Sequence, residues 1–259
     1  MINLKAEYIM KVEYCGLTDT GCTRNENQDY FVAQPVLDGK CILLIVADGV
    51  GGNLAGDVAS RLACEQLTSY IDESTGNEDY ADLLFSALVY ANNKVVEQHS
   101  NPWYGNMSCV LTAALLNMST GELYISHVGD TRLYVKQEKA LQKLTDDHNV
   151  AGELEDQKMI TEEERMRHPR RNLITRSIGS RLLCYGTDYI QSLRVKLNPP
   201  CTVLICSDGL YDMITSAEIV DILDSGEKLS DRVNGLIEAS NAAGGADNIT
   251  VVVADIIND

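Results

Sequence analysis

The sequence has no long hydrophobic run. The longest, Cys41 to Ala47, is of strand length, far short of the ~20 apolar residues that span a bilayer. Near the N-terminus no basic segment leads into an apolar one, so neither a membrane span nor a signal peptide is expected, and the reading is a cytoplasmic protein that engages no membrane. A Pro, Gly or Ser-rich linker is also missing, which predicts a single domain over residues 1–259. The eight cysteines form no C-x-x-C pair, which argues against a zinc or disulfide framework, and several fall inside apolar runs and read as buried thiols. Positive charge is scarce: 21 Lys and Arg stand against 38 Asp and Glu, a net charge of -17. Such a surface has nothing to neutralise a track of phosphates, so nucleic acid is not an expected partner. Any phosphate this chain handles must be met locally.

Strand-length apolar runs lie at 41–47, 110–116, 123–128, 133–135, 203–206 and 249–253. Helical spacing appears between them, in Val58, Ala59, Leu62, Ala63 and Leu67, in Leu84, Ala87, Leu88, Ala91 and Val95, and in Leu229, Val233, Leu236 and Ile237. Strands come in adjacent pairs more often than they alternate with helices. This predicts stacked antiparallel sheets covered by helices, not a doubly wound parallel sheet. From Thr145 to Tyr185 the chain is polar, with TEEERMRHPRRN at its centre and a capping box expected between Thr161 and Glu164. On composition alone it is either a solvated charged insertion or a functional loop.

Several apolar runs end in an acid. VADGVGG puts Asp48 after the strand at 41–47, and the Asp-Gly that follows is no hairpin turn, because a helical pattern comes next. A dinucleotide fingerprint would need glycine where Leu54 stands, and no G-K-[ST] of a phosphate loop is present. The same grammar returns at Asp208 in CSDGLYDM, at Asp130 in SHVGDTRLYV and, reversed, at Asp247 in GGADNITVVV. Sheet ends would aim these carboxylates at one rim, where each like-charged pair ~4 Å apart costs about 4 kcal/mol at an effective dielectric near 20. Hard divalent cations, Mg²⁺ or Mn²⁺, answer that repulsion. Two such ions ~4 Å apart activate a shared water and clamp a phosphoryl group.

In order along the chain, GCTRNENQDYF, VADGVGG, SHVGDTRLYV, LTDDHN, RRNLITRSIGS, CSDGLYDM and GGADNITVVV resemble the metal-dependent Ser/Thr phosphatases of the protein phosphatase 2C family, especially the bacterial ones. The resemblance implies an α+β fold, a four-layer α-β-β-α sandwich of two mostly antiparallel sheets flanked by helices. It implies hydrolysis of phosphoserine and phosphothreonine in proteins by a water activated between two ions. In that arrangement Asp48 bridges the two metal ions and the Gly49 carbonyl binds one. Asp208 and Asp247 complete one shell, and Asp29 acts through water on the other ion. Arg24 grips two phosphate oxygens, a task a planar guanidinium performs better than lysine. Asp130, assisted by Asp212, is the acid of a third, weaker metal, although Asp212 reads equally as an ordinary helix N-terminal acid. The excursion at about 145–185 falls where the family carries its flap. Phosphorylated proteins and a cognate Ser/Thr kinase are the implied partners, and a monomer the expected state. The alternative is a catalytically weak, phosphoprotein-binding regulatory module on the same fold; a hydrolase of small phosphoesters is a third reading.

Three positions depart from the family's pattern. Val50 stands where many members have a histidine that is a candidate to protonate the leaving alkoxide, Gln28 replaces a common glutamate, and Ser108 to Val110 replaces GTT, a change read as core packing. No Cys-x5-Arg exists, since Gln28 and Asp212 follow Cys22 and Cys206 by six, which favours a metal route over a thiolate one. His127 is read as a satisfied core histidine, His148 as a loop organiser and His168 as a solvated flap residue. Arg167, Arg170, Arg171 and Arg176 are either charged surface or a dock for an acidic phosphorylated segment.

Overall fold

The computed structural model describes residues 10–50, 55–76 and 78–257. Gly51 and Gly52, part of the glycine cluster after Asp48, lie outside them. The first sheet has the order β1-β10-β9-β6-β7, from Lys11–Asp19, Ile249–Ile257, Cys201–Cys206, Arg132–Gln137 and Ala140–Lys143. The second has the order β2-β3-β4-β5-β8, from Asp29–Val36, Cys41–Gly49, Cys109–Asn117, Glu122–Val128 and Gln191–Lys196. Every pairing between these strands is antiparallel.

The two sheets stack, and helices cover both outer faces, because the inner strands are apolar on both sides. In β3, Cys41, Leu43, Ile45 and Ala47 pack outward against helices α1 (Gly56–Asp72) and α2 (Tyr80–Glu97). Ile42, Leu44 and Val46 point inward to the other sheet. β10 repeats the arrangement, with Val252, Ala254 and Ile256 inward and Ile249, Val251 and Val253 outward. A strand buried on both faces loses polar alternation and reads as an unbroken apolar run. The short helices are α3 (Val150–Asp156), α4 (Glu162–Met166), α5 (Asp208–Tyr211) and α6 (Ser216–Leu223); α5, α6 and the long α7 (Leu229–Ala242) cover the first sheet. The expected four-layer α-β-β-α sandwich is the observed architecture.

The capping box forms as read: Thr161 accepts from Glu164 and Glu164 reaches back to Thr161, opening α4. No described helix is long and apolar enough to cross a membrane. Five of the eight cysteines are buried, but Cys22 and Cys184 are exposed, so the buried-thiol reading fails for those two.

Candidate active site

Strand ends gather the acids. Asp48 is the penultimate residue of β3, and the register sets it directly opposite Asp29, the first residue of β2. Two like charges on one antiparallel rung are destabilising without a counter-charge. Asp130 follows β5 after Gly129, whose φ of +112° carries the chain into β6. A side chain at 129 would also drive into Val110, 2.1 Å away. Asp208 opens α5 directly beyond β9, and Asp247 lies two residues before β10.

These ends border one open cleft of about 730 Å³, lined by Arg24, Asp48, Gly49, Asp130, Asp208 and Asp247 among others. Asp29 is not part of that lining; it is set back behind the wall, buried, with Oδ2 accepting from Ser207 Oγ at 2.8 Å. Gly49 is where the first turn of α1 comes closest, since a Cβ there would lie 2.5 Å from the Gly56 carbonyl carbon. Arg24 is half exposed, and its Nη2 donates to Asp247 Oδ2 at 2.8 Å.

The electrostatics follow from burial and crowding. Burial first, then the charges of Asp29, Asp208, Asp130 and Asp247, push the Asp48 carboxyl well above its ordinary range. Asp208 is raised likewise by burial and then by Asp212, Asp130 and Asp247. Burial lifts Asp130 to about 7 against the pull of its Asn149 hydrogen bond, and Asp29 to about 6 against hydroxyl bonds from Thr250 and Ser207. Oδ1 of Asp29 and Oδ1 of Asp208 are buried with no hydrogen-bond partner. Among the described residues no three acids, histidines or cysteines are already closed into a metal cage. The site is instead an open ring of hard oxygen donors, two of them orphaned, with more negative charge than its one arginine offsets. That donor set fits Mg²⁺ or Mn²⁺.

Asp212 takes neither expected place. It caps the C-terminal end of α5 and is clamped by two flap arginines, Arg165 through Nη1 and Arg171 through Nε at 2.9 Å. Arg165 was not singled out in the sequence, because one buried arginine inside a run of charges looks like its solvated neighbours. Its guanidinium and that of Arg132 both lie over the Tyr211 ring, 4.7 and 4.0 Å from the centroid. Tyr211 in turn donates to the Asp130 carbonyl at 2.7 Å, and Asn149 donates to Asp130 Oδ2 at 2.8 Å. Ser207, Asn149 and Tyr211 all fall within the quoted motifs, so their signal was adjacency to an acid. Arg176 binds the carbonyls of Asp188 and Tyr189.

His127 is a satisfied core histidine, bonded to Thr112 Oγ1 at 2.8 Å and to the Asp146 carbonyl at 3.0 Å. His148 organises its loop: its Nδ1 accepts the Gly129 N–H at 2.9 Å and its own N–H donates to the Gly129 carbonyl. His168, half-buried, accepts the Arg170 N–H. The change at 108–110 is more than core packing, because Val110 faces Asp48 across the ladder and lines the cleft. Val50 lines it too, and no histidine does among the described residues.

Residues 23–248, the stretch from the Arg24 loop to the turn bearing Asp247, match the sequence profile described as protein phosphatase 2C. The chain belongs to the protein phosphatase 2C family. It is 35% identical over 242 residues to the serine/threonine phosphatase stp of Listeria welshimeri, covering 92% of this chain and 93% of that protein. Protein phosphatase PhpP of Streptococcus pneumoniae is 34% identical over 244 residues, 93% of this chain and 96% of its own. Among solved protein phosphatase 2C relatives, the S. agalactiae serine/threonine phosphatase superposes with a TM-score of 0.84 at 30% identity, covering 95% of this chain and all of that one. The catalytic domain of PstP, in complex with two manganese ions, gives a TM-score of 0.80 at 29% identity over 96% and 99% of the two chains.

Proposed function

We propose that this chain is a metal-dependent protein phosphatase that removes phosphate from phosphoserine and phosphothreonine in proteins. The observation that carries this reading is the ring of buried, mutually repelling carboxylates beside one half-exposed arginine, in a cleft open enough for a protein loop. Asp48, Asp208, Asp247 and the Gly49 carbonyl would hold two divalent cations, with Asp29 behind Asp48 and Asp130 at a third, weaker position. When bound, the cations lower the pKa of a shared water and neutralise charge on the phosphoryl oxygens. Arg24 binds two of those oxygens and orients the phosphoryl group for in-line attack. Val50 offers no proton to the leaving oxygen, and a water held near Asp130 takes that part.

We further propose that residues 1–259 act as one domain, as a cytoplasmic monomer opposing a Ser/Thr kinase. The family membership, and the relatives named for serine/threonine phosphatase activity, support the substrate class. The test compares phosphate release from phosphothreonine peptides and from nucleotides, with Mn²⁺, with Mg²⁺ and with chelator. Metal-dependent release from the peptides, faster than from nucleotides, is expected. Release that ignores the metal, or that favours nucleotides, overturns the proposal.

A further inference from the structure

The GGADNITVVV motif carries an asparagine for which the metal and phosphate roles have no use. Asn248 is 6% exposed and stands between Asp247 and the start of β10. Its Nδ2 donates to the Thr20 carbonyl at 3.0 Å and to the Glu26 carbonyl at 2.9 Å. Its Oδ1 accepts the Gln28 N–H at 2.9 Å, and its own backbone N–H donates to Asp247 Oδ1 at 2.9 Å. Thr20 and Glu26 bracket the segment that bears Arg24, and Gln28 leads directly into Asp29. One buried side chain therefore closes the Arg24 loop on itself and fastens it to the turn that bears Asp247.

Little else holds the loop. Residues 20–28 belong to no helix or strand, and the Cys22 and Thr23 N–H groups both lean on the Gly245 carbonyl, at 2.8 and 3.2 Å. Arginine is long, and ordering its loop costs ~1–2 kcal/mol per residue if left to the moment of binding. A loop fixed beforehand spares the phosphate that cost. Only an asparagine of this length supplies two donors and an acceptor at once; aspartate would lose both donors and add another carboxylate beside Asp247.

We propose that Asn248 is a positioning residue for phosphate capture, fixing the loop that aims Arg24 so that its loss weakens substrate binding more than turnover or metal loading. This rests on the reading of Arg24 as the phosphate ligand. The test uses the full chain as Asn248→Ala, Arg24→Ala and the double variant, with Asn248→Ser where the alanine form does not fold. Three quantities are read: kcat and KM on a phosphothreonine peptide at saturating Mn²⁺, the Mn²⁺ Kd by calorimetry without substrate, and amide exchange over residues 20–28. Asn248→Ala is expected to raise KM about tenfold, the scale of one lost buried hydrogen bond, with kcat changed less than about threefold. Mn²⁺ affinity stays within about twofold, exchange quickens in 20–28 while β3 and β10 stay protected, and the double variant is no worse in KM than Arg24→Ala. If Arg24→Ala raises KM but Asn248→Ala does not, or the two effects add, Asn248 has no such role while Arg24 keeps its own. If Arg24→Ala leaves KM unchanged, both readings fall; if Asn248→Ala collapses Mn²⁺ binding, Asn248 serves Asp247 and the proposal is wrong.

Discussion

Asp208 sits among acids on every side: Asp212, Asp130, Asp247 and Asp29 all raise its carboxyl, and its Oδ1 has no hydrogen-bond partner. A side chain so placed is kept at a cost to stability, which separates what it does for turnover from what it does for the fold. Asp208→Asn is therefore expected to remove nearly all phosphatase turnover while raising the melting temperature of the chelator-treated protein at about pH 8. The rise should be about 2–4 °C for each kcal/mol of repulsion relieved. Calorimetry with and without Mn²⁺ checks it: a variant that melts lower than wild type without metal contradicts the crowding, and one with wild-type turnover contradicts the ligand role. Of the site itself, the acids at strand ends could be read from the chain because each interrupts an apolar run. Arg165 could not, nor could the pairing of Asp29 with Asp48, which depends on a register that no local spacing reveals.

The strands divide in the same way. The six runs read from the sequence are β3, β4, β5, β6, β9 and β10, all interior, while the four unread strands, β1, β2, β7 and β8, are the four sheet edges. An interior strand is covered on both faces and both flanks and must be apolar throughout. An edge strand such as β8, QSLRVK, is half solvated, and its pattern dissolves into that of a loop. Helices α3, α5 and α6 were missed because one or two turns are too short to establish a period. The flap is an element whose attachment is ionic: Arg165, 2% exposed, bonds Asp212 and the Tyr211 carbonyl. Arg165→Met strands Asp212 and should lower stability by roughly 3–5 kcal/mol, with faster proteolytic cutting between residues 145 and 185. A urea midpoint within about 1 kcal/mol of wild type, with the flap still resistant, would show that the clamp is ornamental.

For the whole molecule, the acid ring and the histidine pair oppose each other in their response to pH. Asp29 and Asp130 hold protons up to about 6 and about 7 against 3.8 for a free side chain. As pH rises through that window the folded, metal-free chain keeps protons that the unfolded chain has lost, so stability falls with rising pH. His127 and His148, buried and held near about 4 and about 3 against 6.5, do the reverse and lose stability on acidification. Cations cancel only the first effect. The gap in melting temperature between Mn²⁺-loaded and chelator-treated protein should widen from about pH 5 to about pH 8, and a flat gap counts against carboxylates as the binding groups. One last consequence belongs to β10. It is the final strand of the chain, yet it lies inside its sheet between β1 and β9, with Lys11 paired to Ile257. On the ribosome β1 must wait, unpartnered, for almost the entire polypeptide to emerge, which makes late closure the slow and aggregation-prone stage of biogenesis. Asp247 arrives with that closing strand, so a nascent chain has no finished catalytic centre to misuse until its architecture is complete.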